Sequence, residues 1–127
     1  MSLQTPLGKV LGLGSAGDGT GHWWAQRVSA VALSLLALWF VVSVAGLDLA
    51  SHAAVTGWLL APVNAALAVL LVAVTAYHSS LGVQTVIEDY VGGGLGVVTM
   101  VTSQFLHVLL AGIGIIAILK VAFGGGA

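Results

Sequence analysis

The stretch TGWLLAPVNAALAVLLVAVTAYHSSLGVQTVIEDY, residues 56–90, decides the fold, because it is apolar over most of its length and ends in charge. A helix needs about 20 predominantly apolar residues to cross a bilayer, and this stretch exceeds that length. Pro62 lies near its first turn, where a helix tolerates proline. We therefore predict a transmembrane helix that ends at Glu88-Asp89-Tyr90.

Two further apolar runs flank this stretch, at residues 23–47 and 97–123. The polar residues Asp48, Ser51 and His52 separate the first run from the second, and the glycines of residues 92–96 separate the second from the third. An open sheet edge cannot satisfy its backbone groups in hydrocarbon, so helices are the expected element. The sequence predicts an all-α integral membrane protein with three transmembrane helices.

The composition supports the same class of protein. Of 127 residues, 59% are hydrophobic, and only three are Lys or Arg and four Asp or Glu, whereas a globular domain is about 25% charged. Helix faces left over in so small a bundle must meet lipid or partner subunits. A net charge of −1 gives no electrostatic reason to bind nucleic acid, and the absence of cysteine excludes disulfides and cysteine-held iron–sulfur clusters.

Residues 1–21 are rich in glycine and lack the apolar core of a signal peptide. We predict that they form a flexible arm on the membrane surface and that residues 22–127 form a single transmembrane unit. Lys9 and Arg27 lie on the N-terminal side, whereas the first loop has no Lys or Arg. The positive-inside rule then places the N-terminus, and with it the end of the second helix, in the cytoplasm.

His78 is the clearest polar residue inside a span, and such residues indicate function. It precedes Asp89 by 11 residues, or ~16 Å along a helix, which places it near the middle of the ~30 Å hydrocarbon layer. Haem iron would satisfy a neutral imidazole there. A hydrogen bond to a serine, threonine or carbonyl group of a neighbouring helix would also satisfy it, and the position of His78 does not separate these interpretations.

Gly82 and Asp89 share a helical face with His78, since 11 residues at ~100° return almost to the starting angle. A glycine beside a ligand histidine leaves room for a flat macrocycle, although plain helix packing also favours glycine. His107 lies at a depth similar to that of His78. It can act as a second ligand from the adjacent helix or as a buried, hydrogen-bonded histidine.

The remaining polar residues each have two interpretations. His22 and Arg27 can contact lipid headgroups, and Arg27 can instead pair with a buried carboxylate such as a haem propionate. Tyr90 and Asp89 can be ordinary interfacial residues, or a phenol that donates a hydrogen bond to a ligand carbonyl and an acid that tunes it. His52 is expected in a solvated loop.

Two motifs coincide in this chain: HWWAQRVS at residues 22–29, and HSSLGVQTVIEDYV at residues 78–91. With three spans and this length, the chain resembles the small membrane-anchor (D) subunit of succinate dehydrogenase, respiratory complex II, in its alphaproteobacterial and mitochondrial branch. The resemblance covers about residues 20–123. Its most specific part is the histidine followed by glycine four positions later and by Asp-Tyr at eleven and twelve.

The resemblance implies that His78 is one axial ligand of a b-type haem and that the sister anchor (C) subunit supplies the other. It also implies that Tyr90 hydrogen-bonds a ubiquinone carbonyl, with Asp89 in support. Arg27, His22 and Gly82 would lie in the haem environment, and His107 would become a packing residue. Ser79 and Ser80 stand where relatives often carry a bulky or basic side chain, so a basic contact from this turn is not expected.

Further partners follow from the same resemblance. FAD and the iron–sulfur clusters belong to a flavoprotein subunit and an iron–sulfur subunit, which the anchor holds against the bacterial cytoplasmic (inner) membrane. The chain would then carry no complete active site of its own. Two alternatives stay open at this point: the anchor of a fumarate reductase, and a non-redox membrane scaffold subunit.

Overall fold

The computed structural model describes residues 7, 10 and 17–124. Over the continuous range it contains four helices: α1 (Gly17–Val44), α2 (His52–Leu60), α3 (Pro62–Tyr90) and α4 (Gly93–Phe123). No strand occurs in the described residues. Three segments are long and apolar enough to cross a membrane: Thr20–Val44, Pro62–Tyr90 and Gly93–Phe123. The predicted all-α class with three spans is therefore confirmed.

The first span begins earlier than the sequence indicates. Helix α1 starts at Gly17, so the last five residues of the predicted arm, 17–21, are helical, and most of the remaining arm lies outside the described residues. Trp23 and Trp24 stack with ring centroids 5.9 Å apart and are both exposed. Exposed tryptophans at the start of a span suit the headgroup layer.

The second apolar run is divided into two helices, which corrects the prediction of one run over residues 56–90. Ser51 caps α2 by accepting a hydrogen bond from the Ala54 amide at 3.3 Å, so His52 is helical rather than part of a loop. Ala61 is extended at φ −70° and ψ 120°, because proline disfavours the helical conformation in the residue before it. Pro62 then begins α3, where its missing N–H costs nothing.

Helix α3 lies between α1 and α4 and packs against both. Helix α2 contacts α3 and α4, and its Trp58 stacks on Trp39 of α1 with centroids 5.8 Å apart. This aromatic contact holds α1 and α2 together at the end of the molecule away from Tyr90. The three spans thus form a layer in which α3 alone has neighbours on two sides.

Few side chains are buried within this layer. Among the described residues the buried ones are Ala65, Ala68, Leu81, Ile87 and Ser29, and most large apolar side chains are exposed. Lipid tails are as apolar as leucine, so exposed Leu, Val and Ile are stable in a bilayer. Faces of this chain therefore remain open to lipid or to other subunits.

Candidate functional site

His78 lies on α3 where α1 crosses it, and its ring is held by Ser29. The His78 Nδ1 atom is 3.0 Å from the Ser29 hydroxyl oxygen. That hydroxyl also donates to the Gln26 carbonyl oxygen in its own helix, at 3.1 Å. A serine hydroxyl has one proton, so both hydrogen bonds form together only when Nδ1 carries the proton. Nε2 is then the unprotonated nitrogen of the ring.

Nε2 of His78 has no hydrogen-bond partner in the part of the chain that the structure describes. The ring is only partly buried and lines an open groove between α1 and α3. A neutral imidazole presents a metal-binding lone pair on the nitrogen that carries no proton. The hydrogen bond to a neighbouring helix that the sequence allowed is thus present at Nδ1, and it leaves Nε2 available for a metal.

The groove encloses about 580 Å³, within the range of about 300–1,000 Å³ typical of ligand sites. It runs along the helices, since two of its wall residues, His22 and Ala30, are eight positions apart in α1, or ~12 Å along the axis. Its walls combine residues from α1 and α3: His22, Trp23, Gln26, Arg27, Ala30, His78, Gly82, Thr85 and Val86. The structure therefore brings together four residues predicted to surround a haem, namely His22, Arg27, His78 and Gly82.

Two buried polar atoms in the walls of this groove have no partner among the described residues: His22 Nε2 and Gln26 Oε1. A buried polar atom without a hydrogen bond costs about 1–3 kcal/mol. Both residues belong to α1 and face the same cavity as His78. The hydrogen-bonding capacity of these two atoms is therefore not met by the described part of this chain.

Gly82 lies one helical turn after His78 and widens the groove. A Cβ atom built on Gly82 would meet only the Gln26 Nε2 atom, at 3.7 Å, which is ordinary van der Waals contact. Close helix packing therefore does not explain the glycine. The absence of a side chain instead leaves space beside the ring of His78, as a flat ligand requires.

Arg27 is exposed, and its guanidinium group lies 5.4 Å from the centroid of the Trp23 ring. A cation over an aromatic face gains about 0.5–1 kcal/mol at an exposed site. The contact holds the positive charge at the edge of the groove. A carboxylate bound there would find a cation already positioned.

His107 has a different environment from His78. Its Nδ1 atom donates to the Ser103 carbonyl oxygen at 2.8 Å, so Nε2 is the acceptor for the Ser79 hydroxyl at 3.1 Å. Both ring nitrogens are therefore used in protein hydrogen bonds. This geometry favours a packing role for His107 and not a role as a metal ligand.

Asp89 and Tyr90 lie at the other end of α3, ~16–18 Å from His78 along the axis. Tyr90 is the last residue of the helix, and 83% of its surface is exposed. Asp89 is also exposed, and neither residue lines the groove that contains His78. A ligand at Tyr90 would need walls from outside this chain.

The described residues contain no group of three or more His, Cys, Asp or Glu that could hold a metal ion. A haem iron is different, because its four equatorial nitrogens come from the macrocycle and the protein adds only axial ligands. A single histidine imidazole is one such axial ligand.

Ser29 and Gln26 belong to the site, although their roles were not predicted. Ser29 follows His22 by seven residues, so the two share a helical face. The sequence spacing places Ser29 and His22 on one face of α1. Only the way in which α1 packs against α3 shows that this face meets His78. Thr85 and Val86 of α3 also line the groove.

The matching family model describes the succinate dehydrogenase/fumarate reductase transmembrane subunit and covers residues 1–121. The chain belongs to this family. It is 38% identical over 94 residues to the succinate dehydrogenase hydrophobic membrane anchor subunit of Paracoccus denitrificans, covering 74% of this chain and 73% of that relative. The corresponding subunit of Rickettsia bellii is 34% identical over 83 residues, 65% of this chain and 66% of the relative. No solved structure matches the chain significantly.

These similarities confirm the resemblance drawn from the two motifs, including the alphaproteobacterial branch. The chain is a membrane-anchor subunit of the succinate dehydrogenase type. Together with the three apolar helices, the family also confirms a multi-pass membrane protein. The succinate dehydrogenase anchor is thus part of an enzyme complex.

Proposed function

We propose that this anchor subunit docks a flavoprotein subunit and an iron–sulfur subunit at the cytoplasmic face of a bacterial inner membrane. With a sister anchor subunit it would hold a b-type haem through His78 and form part of a ubiquinone-reduction site through Tyr90 and Asp89. Electrons from succinate would reach the quinone from clusters in the partner subunits. The relatives' names favour succinate oxidation over fumarate reduction.

The observation that carries this proposal is the state of the His78 ring. Its Nδ1 atom is fixed by Ser29 at 3.0 Å, and its Nε2 atom is left without a protein partner in a groove of about 580 Å³. An unsatisfied nitrogen at mid-membrane depth is costly unless a ligand binds it. Haem iron is a partner that a single neutral imidazole can bind as an axial ligand.

The residues of the groove fit the rest of a haem. His78 would be the axial ligand, and Gly82 would leave room for the macrocycle. Arg27 and His22, at the groove's other end, suit negatively charged propionates, since a guanidinium pairs strongly with carboxylate. When bound, a b-type haem supplies a one-electron carrier, and the second axial ligand would come from the sister subunit.

Tyr90 and Asp89 are proposed to act at the quinone. As the quinone is reduced, negative charge builds on its carbonyl oxygens, and a phenol O–H donating to such an oxygen stabilises that charge. The exposure of Tyr90 agrees with a site whose remaining walls belong to the sister anchor and the iron–sulfur subunit. FAD and iron–sulfur clusters would lie in the partner subunits, and the absence of cysteine, the usual cluster ligand, from this chain agrees with that place for the clusters.

The proposal is tested with the purified four-subunit complex carrying His78→Ala or Tyr90→Phe. We expect His78→Ala to remove or greatly weaken the reduced b-haem absorption, because the alanine has no lone pair for iron. We expect Tyr90→Phe to keep that absorption but to lower succinate:quinone reductase activity by about 10-fold or more, the effect of losing one oxyanion donor. Succinate oxidation by an artificial dye should persist in both variants.

His107→Ala is the matched control for His78→Ala, since the two histidines lie at one depth but only His78 has a free nitrogen. Unchanged haem content and axial ligation in His78→Ala would show that the haem assignment is wrong. Parallel loss of quinone and dye activity in Tyr90→Phe would indicate an assembly defect and would contradict the quinone role. A purified complex with neither haem nor flavoprotein would favour a non-redox scaffold.

A further inference from the structure

Ser29 is the one buried polar side chain among the described residues, with 6% of its surface exposed. It lies in α1, and its partner His78 lies in α3, 49 positions away in sequence. We propose that Ser29 is a positioning residue, which fixes both the tautomer and the rotation of the His78 ring so that Nε2 faces the groove. This inference rests on the proposed role of His78 as a haem ligand.

The directions of the two hydrogen bonds of Ser29 determine the tautomer of His78. The Gln26 carbonyl can only accept, so it takes the Ser29 proton at 3.1 Å. The Ser29 oxygen then faces His78 with a lone pair, at 3.0 Å. An acceptor at this place stabilises the ring with its proton on Nδ1 and disfavours the other tautomer. The back-bond within α1 opposes rotation of the hydroxyl towards His78 as a donor.

Ser29 and His78 both belong to membrane-spanning segments. Water does not compete for hydrogen bonds in the hydrocarbon layer, so a single neutral acceptor can determine the orientation of the ring. Metal-ligating histidines usually give their other N–H to such a partner, and removal of the partner commonly costs about 10- to 100-fold in metal affinity. Ser29 supplies this partner from a different helix than the ligand.

The Ser29 hydroxyl, a neutral acceptor, would also affect how strongly the His78 imidazole donates electrons to iron. A carboxylate would draw the Nδ1 proton strongly and make the imidazole much more electron-donating, whereas a hydroxyl does so weakly. Loss of the hydroxyl should therefore make His78 a poorer donor to ferric iron. The midpoint potential of the haem would then rise, because axial donation is one of the factors that set it.

The test compares Ser29→Ala, Ser29→Thr and Ser34→Ala in the assembled complex. Ser34 is the matched control, because it is an exposed serine of the same helix that donates only to its own Ala30 carbonyl, at 2.8 Å. We expect Ser29→Ala to weaken haem retention by about 10- to 100-fold, to raise the midpoint potential and to change the ferric low-spin electron paramagnetic resonance spectrum. Ser29→Thr keeps the hydroxyl and should restore all three properties, and Ser34→Ala should match the parent.

Parent-like haem retention, potential and spectrum in Ser29→Ala would overturn the inference. Equal changes in Ser29→Ala and Ser29→Thr would also overturn it, since they would indicate a packing role that does not depend on the hydroxyl. The His78→Ala complex separates this failure from failure of the proposed function. If haem ligation depends on His78 but not on Ser29, only the positioning role is wrong.

Discussion

The α1–α3 interface and the α3–α4 interface each contain a histidine at nearly the same depth, but the two side chains differ in what they leave unsatisfied. His107, between α3 and α4, uses both ring nitrogens in hydrogen bonds to Ser103 and Ser79. His78, between α1 and α3, uses one nitrogen on Ser29. Depth in the membrane therefore does not distinguish a packing histidine from a candidate ligand; the partners of the second nitrogen do.

The glycines of the two interfaces show the same contrast. A Cβ atom on Gly114 of α4 would lie 3.2 Å from Val72 Cγ1, whereas one on Gly82 would meet only the flexible end of Gln26 at 3.7 Å. Gly114 thus permits close approach of two helices, as small residues do in membrane proteins. Gly82 keeps space open instead. The two interfaces therefore differ locally: α3 and α4 are in close contact at Gly114, whereas α1 and α3 leave space beside Gly82.

The largest effect on this contrast is expected from Gly82→Leu. A leucine would project into the groove beside His78, and overpacking of this kind costs about 1–3 kcal/mol, or about 5- to 150-fold in affinity. We expect haem content per purified complex to fall accordingly when measured by pyridine haemochrome absorption. Gly82→Ala, which creates no clash within the chain, is the control and should lose less haem than Gly82→Leu.

Full haem content in Gly82→Leu, with a parent-like spectrum, would show that the groove beside Gly82 does not hold the macrocycle. Loss of the whole complex in Gly82→Leu is separated from loss of haem by the amount of flavoprotein that copurifies with the anchor.

A smaller effect is expected from His107→Ala, which tests the α4 side of α3. The variant removes the hydrogen bond to Ser79, and interhelical hydrogen bonds in membranes contribute about 0.6 kcal/mol on average and at most about 1.7 kcal/mol. Detergent-induced unfolding of the complex should report a destabilisation of this size. The haem spectrum should remain that of the parent.

A double-mutant cycle with Ser79→Ala isolates the pair, because the coupling energy then excludes effects of each residue on other neighbours. Zero coupling would contradict the hydrogen bond between the two side chains. Loss of haem in His107→Ala, with the complex still assembled, would contradict the division of roles between His107 and His78.

Hydropathy was sufficient to predict the three spans, because each one exceeds the bilayer length requirement over a continuous apolar run. It did not reveal the break at Ala61, since the residues on both sides of Pro62 are equally apolar. The motif spacing identified His78 and Gly82 as neighbours along one helix. The partner of His78 could not be predicted, because Ser29 reaches it only through the rotation of α1 against α3, which no single-helix pattern contains.

For Tyr90, the sequence predicted the position in the helix but not the surroundings of the side chain. Its place at the end of α3 was predicted from the Glu-Asp-Tyr sequence and the following glycines, and the helix does end there. Its surroundings could not be predicted, because an exposed side chain at a helix end is defined by whichever chain covers it. The groove beside His78 can be described within this chain, whereas the proposed quinone site at Tyr90 would need walls from other subunits.

Alanine at the two glycines should change the free energy of unfolding in opposite directions at the two interfaces, or leave it unchanged at Gly114. Alanine favours a helix over glycine by about 1 kcal/mol. At Gly82 nothing opposes this gain within the chain, so Gly82→Ala should stabilise the anchor against unfolding in the absence of haem. At Gly114 the new methyl group presses on Val72, and overpacking of about 1–3 kcal/mol should cancel or exceed the gain.

The Val72→Ala background provides the check, because it removes the atoms that the Gly114 methyl group would meet. Gly114→Ala should then become stabilising by up to about 1 kcal/mol, as measured by detergent-induced unfolding against Val72→Ala alone. The same effect of Gly114→Ala in both backgrounds would mean that α3 and α4 are not in close contact there. The α3–α4 interface would then differ from the α1–α3 interface only in the hydrogen bonds of its histidine.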